Sequence, residues 1–449
     1  MLLLAWTTFA FGGVYLSALI VPACLVVVLA LMFLPPAGGR GTPHSSGSRL
    51  DAGPAWSLAA MIVILALQLV PLPASLVRIL SPHAWTFREQ FRLAPQAGWM
   101  PLTIDGASTI WALGVVIGVV LVFVASRAIF EIGGTRVAVR GVSGTGLILA
   151  AVSLAQDATA HGLMYWRWKP IEEGAPPFGP FVDRNHFATW AVLAIPLCLG
   201  YLVAHASAHR QRMLPGASWH RAVLHALDAR AIWLTASVVL MLVALVATLS
   251  RSGLVGLGAA VLTGWWLRAA RPDGSAAGRW IGAAAALALL AAVIRVNPVV
   301  VMHRFGAAGT AAIDRFAIWG ATMPIVRNFW LAGTGAGTFE TAMLVYQPPG
   351  SAFRINAAHN HYLQLAAEGG LLLAIPTAAA AIAFLNAAVA RLREDQSGMY
   401  GIRAGAVCGL IGVAVQSLWE TGLTTPANGV LAAMAAAVAV HRAGPHHHG

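Results

Sequence analysis

Between Asn297 and Asn360 the chain gathers Arg304, Arg315 and Arg327, a Gly333-Thr334-Gly335-Ala336-Gly337 turn, and the run Ala358-His359-Asn360-His361-Tyr362. A guanidinium offers paired N–H donors to phosphate oxygens, and an imidazole exchanges a proton near neutral pH. Together they suit a phosphate-bearing donor and an acceptor that must lose a proton. Two more arginines belong to this reading. Arg184 follows Phe178-Gly179-Pro180-Phe181-Val182-Asp183, and Arg251 sits within Leu249-Ser250-Arg251-Ser252-Gly253.

His359 is the candidate base. It precedes a long apolar run that opens at Tyr362, so free amides and the positive end of a helix should lie beside it. Those amides and the arginines are expected to depress its pKa and keep the imidazole neutral, as general-base work requires. His361 falls on another face and is the weaker choice. Gln364 and Glu368, four apart, descend one helical face; an acid in the membrane needs a partner, and Arg251 or Arg184 would serve. Arg315 and Trp319 also share a face, where the guanidinium can meet a ligand, stack on Trp319 or pair with Asp314. Serine and glycine suit the tight reversal around Arg251, but not a guanidinium at that depth, which calls for a carboxylate or a ligand phosphate. Arg184 reads either as a ligand contact or as an anchor snorkelling to lipid headgroups. The glycine turn is a loop reversal or a phosphate cradle; with no Lys-Ser/Thr after it, it is no nucleotide loop.

The elements that must position these residues are membrane spans. Of the 449 residues 58% are hydrophobic and 10% charged, and the mean hydropathy is +0.74, outside the range of soluble domains. Apolar runs occur near Tyr15–Leu34, Trp56–Leu72, Ser108–Phe130, Val142–Ala158, His186–Ala204, Ala231–Leu249, Leu254–Ala270, Trp280–Val296, Tyr362–Ala390, Ile402–Leu418 and Asn428–Val440. Residues Leu2 to Ala10 are a short candidate for a further span, and the first apolar run reads as retained rather than cleaved. Backbone amides in lipid must pair internally, so the fold class is all-α: a polytopic bundle of 11–12 transmembrane helices. Asp183 or Asn185 can cap the span that follows them.

The net charge is +12, and Lys169 is the only lysine. Arginines crowd alternate connections: Arg40 and Arg49; Arg136 and Arg140; Arg210 to Arg230; Arg268 to Arg279; Arg391, Arg393 and Arg403. By the positive-inside rule these face the cytoplasm, which turns the His359 segment and the loops 73–107 and 159–185 outward. Scattered in this way, the basic residues form no stripe for nucleic acid. Cys24, Cys198 and Cys408 fall within spans and suggest neither a disulfide nor a metal site. No Asp-x-Asp pair occurs in an outer loop, and Glu172-Glu173 is the sole adjacent carboxylate pair there. No metal and no cofactor is therefore expected, and arginine would neutralise a departing diphosphate. The terminal His446-His447-His448 reads as a cytoplasmic tail.

Phe181 to Ala188, Leu249-Ser250-Arg251-Ser252-Gly253, Arg315 with Trp319, Gly333 to Phe339 and, above all, Ala358-His359-Asn360-His361-Tyr362-Leu363-Gln364-Leu365-Ala366-Ala367-Glu368-Gly369-Gly370 resemble the O-antigen ligase/polymerase superfamily. The likeness runs from about Trp56 to Trp419. It implies a bacterial inner-membrane glycosyltransferase of the GT-C type, with one long periplasmic loop containing short helices. Residues 1–296 would be an N-terminal transmembrane bundle, 297–360 the periplasmic catalytic loop, and 361–449 the C-terminal helices and tail. It further implies an undecaprenyl-diphosphate-linked glycan donor, an acceptor such as lipid A–core, and inverting, metal-independent transfer. Arg184, Arg251 and Arg315 would bind the diphosphate and His359 would activate the acceptor, supported by Asn360, Tyr362, Glu368 and Trp319. Asp183 departs from the Asn that many relatives carry before the arginine. Ligase, polymerase and protein O-oligosaccharyltransferase share these motifs. A lipid or solute transporter is the reading from a different class, opposed by a candidate site gathered on one side of the membrane.

Overall fold

Without water to satisfy them, the amides of long apolar runs close onto their own carbonyls, and wherever those runs fall among the described residues the chain is helical. The computed structural model describes residues 1–33, 49–91, 98–160, 162–170, 176–211, 228–269, 308–347 and 354–442. The membrane-type helices are α2 (Leu16–Phe33), α3 (Arg49–Leu69), α6 (Gly106–Glu131), α7 (Thr135–Thr159), α8 (Arg184–Gln211), α9 (Ala229–Ala247), α10 (Arg251–Ala269), α13 (His361–Glu394), α14 (Tyr400–Gln416) and α15 (Pro426–Val440). Five of them, α6, α7, α8, α9 and α13, are long and apolar enough to cross a membrane. The expected span Trp280–Val296 lies outside the described residues. Helix α1 (Leu2–Phe9) has eight residues, too few to cross. The chain is an all-α, multi-pass membrane bundle.

Helix α8 is the axis of the bundle. It is apolar all round, and Phe187, Trp190, Leu193, Ile195 and Leu197 are fully buried in it, as expected of a helix enclosed by others. Its closest neighbour is α14, and small residues allow the approach. A Cβ added at Gly200 would lie 2.2 Å from the Gly401 carbonyl oxygen, and one at Gly405 2.3 Å from that of Pro196. Helix α6, by contrast, has few buried residues along its apolar length, as a lipid-facing helix would.

Short elements cover one end of the bundle. Helices α4 (Ala74–Leu80) and α5 (Pro82–Phe91) follow α3. Leu72–Pro73 and Trp99–Met100 pair as an antiparallel two-stranded ribbon, in the register Leu72 with Met100. Helices α11 (Ala308–Asn328) and α12 (Phe339–Tyr346) complete the cover, the first of 21 residues and the second of eight. In the 159–185 connection Trp168 packs its ring 5.0 Å from Phe11 and 5.3 Å from Tyr15, and Trp166 donates to Thr159 Oγ1.

The opposite end corrects one expectation. Arg403 is not a solvated loop charge: it is 2% exposed, pairs through Nε with Asp395 Oδ2 at 3.0 Å, and donates from Nη1 to the carbonyls of Val438, Ala439 and His441. A buried cation thus closes the C-terminus of α15, where carbonyls lack helical partners.

Candidate active site

Three helix starts, the body of α11 and the connection after α14 assemble the site. Asp183 opens α8, its Oδ1 accepting from the Asn185 N–H at 2.6 Å. Asn185 reaches across to a second helix, where its Oδ1 accepts from Ser250 Oγ at 2.8 Å. Ser250 also takes the Gly253 N–H onto its hydroxyl, and so caps α10. One hydrogen bond therefore ties the start of α8, with Arg184, to the start of α10, with Arg251. Leu249, at φ 53, makes the reversal between α9 and α10 tight enough for Arg251 to be the first helical residue.

Arg315 comes from α11. Together with Arg251, Ser252, Val255, Phe316, Trp319 and Trp419 it lines an open cavity of about 220 Å³. Two cations on one wall with four apolar or aromatic residues suit a ligand with an anionic head and a greasy body. Trp319 also donates from Nε1 to the Ala358 carbonyl at 3.0 Å, fixing the residue before His359. Arg184 is not part of the cavity wall; it adjoins the site through Asp183.

His359 sits just ahead of α13. Its φ of 47 is unusual for a residue with a Cβ, and the surroundings impose it. Asn360 caps the helix, with Oδ1 accepting from Leu363 N–H at 3.0 Å, and Ala358 donates its N–H to Gln364 Oε1 at 3.1 Å. Tyr362 donates its hydroxyl proton to the Ala414 carbonyl at 2.7 Å and so pins α13 to α14.

The site also holds a residue that the sequence did not single out. Glu420, in the connection between α14 and α15, is 1% exposed. Its Oε1 lies 3.4 Å from His359 Nδ1 and accepts from the Thr421 N–H at 3.1 Å. Its Oε2 lies 3.7 Å from Arg315 Nη2. The only available signal was that a carboxylate between two spans must find partners; its side-chain partners, His359 and Arg315, are 61 or more residues away in the chain.

This carboxylate reverses the expected titration of His359. Burial pushes the imidazole down and Arg315 does likewise, but the hydrogen bond and charge of Glu420, helped by Asp183, outweigh them and leave its pKa raised. Glu420 is pushed up by burial, yet His359 and His186 hold it below the ordinary carboxylate value. Asp183 is raised, by burial first and then by the charge of Glu420.

Glu368 is a second correction. Its carboxylate accepts from the N–H groups of Gly337 at 2.8 Å and Phe339 at 3.3 Å, and from Gln364 Nε2 at 3.0 Å. It is the clasp of the glycine turn, not the partner of an arginine. The same turn donates from Thr334 N–H to the Ala367 carbonyl and from Gly335 N–H to that of Glu368. These amides are spent on α13, which supports the loop-reversal reading over a phosphate cradle. Gln68 of α3 fastens the other side, donating to the carbonyls of Ala332 and Glu368 and accepting from Ala336 N–H.

Among the described residues, two groups of side chains have the composition of a metal site. Asp183, His186 and Glu420 each bring a ligand atom within 4.8 Å of the others, and so do His205, His209 and Asp228 near the far end of α8. In the first group an Asp and a Glu meet through tertiary folding, which a search for adjacent acidic pairs could not reveal.

Residues 236–378 match the family described as O-antigen ligase. That match supports the likeness to the O-antigen ligase/polymerase superfamily over this segment, about a third of the chain. The matched segment includes Arg251, Arg315, Trp319, the glycine turn, His359 and Glu368; Arg184 and Glu420 fall outside it. The family is one of glycosyltransferase-like enzymes working on saccharide and lipid-linked substrates. No curated protein matches the chain.

Proposed function

We propose that the protein transfers a glycan from undecaprenyl diphosphate to an acceptor hydroxyl on the periplasmic face of the inner membrane, as an O-antigen ligase acting on lipid A–core. One observation carries this reading: Arg251 and Arg315 share a cavity wall with Trp319, while Trp319 and Glu420 connect that wall to His359. The diphosphate would lie against the two guanidinium groups, with Arg184 nearby, and the polyprenyl chain against Val255, Phe316 and Trp419. His359 takes the acceptor O–H proton as the oxygen attacks the anomeric carbon. The bond from that carbon to the phosphate oxygen breaks with inversion, and the arginines stabilise the departing diphosphate. No metal or cofactor takes part in this scheme.

The test is transfer by purified protein in detergent, with lipid-linked glycan and candidate acceptors, run with and without chelator. His359→Ala should lose about 10²–10⁴-fold in rate while remaining folded, and the wild type should keep its rate in chelator. Wild-type transfer by His359→Ala would sink the base assignment. Loss of transfer in chelator would instead turn Asp183, His186 and Glu420 into metal ligands. Lipopolysaccharide from a deletion strain separates ligase from polymerase: the first loses all capped bands, whereas the second leaves bands with a single repeat unit.

A further inference from the structure

The transfer scheme uses Glu420 as a link between the cavity and His359 but gives it no part in the chemistry. A carboxylate this deeply buried is an expensive way to close a turn, because an ion removed from water is repaid only by well-placed partners. Thr421 N–H alone could be satisfied by an uncharged side chain. The other two contacts face the candidate chemistry: Oε1 looks at His359 Nδ1 and Oε2 at Arg315.

We propose that Glu420 is a positioning residue for His359, fixing the ring and its tautomer so that Nε2 is the atom that takes the acceptor proton. This rests on the transfer reading given above. An ionised carboxylate only accepts hydrogen bonds, so the proton between the two groups belongs to Nδ1. The lone pair is then on Nε2, on the side of the ring away from Glu420. When Nε2 takes the acceptor proton the imidazole becomes a cation, and Glu420 stabilises it without becoming protonated itself. The same division of labour holds wherever a buried carboxylate backs a catalytic imidazole.

The backbone argues in the same direction. A non-glycine residue at positive φ costs roughly 1–3 kcal/mol and persists only where its neighbours impose it. Here Trp319, Asn360 and Gln364 hold the chain around His359 from three directions. The result directs the imidazole at Glu420. The charged and titratable groups around the pair are Arg315 from α11 and Asp183 and His186 from the start of α8. Arg315 opposes protonation of His359, whereas Asp183 favours it.

The experiment is the pH dependence of kcat and KM for the purified full chain with lipid-linked donor, comparing wild type, Glu420→Gln, Glu420→Asp and His359→Ala. The base works only when deprotonated, so activity rises with pH through the pKa of His359. Removing the negative charge lowers that pKa. Glu420→Gln should therefore move the acid limb to lower pH, lower kcat by about 10²–10⁴-fold and leave KM for the donor little changed. Glu420→Asp, with the charge retained, should keep the limb near its wild-type place and recover part of kcat. An acid limb that stays put in folded Glu420→Gln overturns the proposal, as does a change confined to KM.

If Glu420→Gln does not fold, histidine-selective ¹⁵N NMR of the wild type decides. A His359 proton on Nδ1 supports the assignment, and one on Nε2 overturns it. The underlying reading fails separately, through an active His359→Ala, and that result is seen before any Glu420 variant is measured.

Discussion

Arg315 carries two roles at the scale of one side chain: it lines the cavity and it holds Oε2 of Glu420 at 3.7 Å. A guanidinium can serve both because its fork presents five donors in fixed directions, whereas an ammonium is a point charge on a flexible stem. Arg315→Lys should keep the net charge yet lose the paired contact to phosphate. We expect a fall in donor turnover of about 10-fold or more, corresponding to one charge-assisted hydrogen bond of roughly 1.5–3 kcal/mol. Unchanged turnover in folded Arg315→Lys would remove Arg315 from the donor site. Residue types and spacing made Arg251, Arg315, Trp319 and His359 legible in the sequence, since each stands out against an apolar chain. Glu420 was not legible, because its meaning comes from partners on α11 and ahead of α13, and no local pattern encodes those contacts. The expected downward shift of His359 had the same cause: the arginines were visible and the acid was not.

Among the elements, the decisive feature is a break in α13. At Gly370 the backbone turns to φ 56 and ψ −162, and the N–H groups freed by the break donate to Trp330 and Leu331 at 2.8 and 3.0 Å. The glycine turn then docks against the broken helix, with Glu368 and Gln68 as fasteners. Gly333 is where backbone meets backbone: at φ 68, a Cβ there would lie 2.1 Å from the Glu368 carbonyl oxygen. Neither φ nor space can be met by alanine. Gly333→Ala should destabilise the protein by about 2 kcal/mol or more, read as a lower melting temperature in detergent, with a loss of transfer that follows the loss of folded protein. A variant that melts like the wild type would show that the turn has room to yield. The sequence pointed to a turn here and to a carboxylate in need of a partner. It did not show that each was the other's answer, because the two lie about thirty residues apart and meet only once α13 has broken.

For the whole molecule, helix directions sort the charges. Helices α8, α10 and α13 start at the end that holds Arg184, Arg251 and His359, and run toward the end that holds Arg268, Arg391 and Arg393. Long apolar runs made the bundle legible, because twenty apolar residues have few other places to go. Arg403 shows the limit of reading side from charge alone: it was counted as a surface cation and is instead a buried cap. The rule rests on free loop charges, and Arg393, exposed in the structure, still counts toward it. Orientation can be measured directly with single cysteines. The natural Cys24, Cys198 and Cys408 would first be replaced by alanine. Gln90→Cys, exposed beside the site end, should then react with a membrane-impermeant maleimide on whole cells with a permeable outer membrane. Gln396→Cys, exposed at the opposite end, should react only after the inner membrane is opened. The reverse pattern would place the arginine cavity in the cytoplasm. A polyprenyl-diphosphate donor presented on the periplasmic leaflet could not then reach it, and the transfer scheme would fail whatever the chemistry of His359.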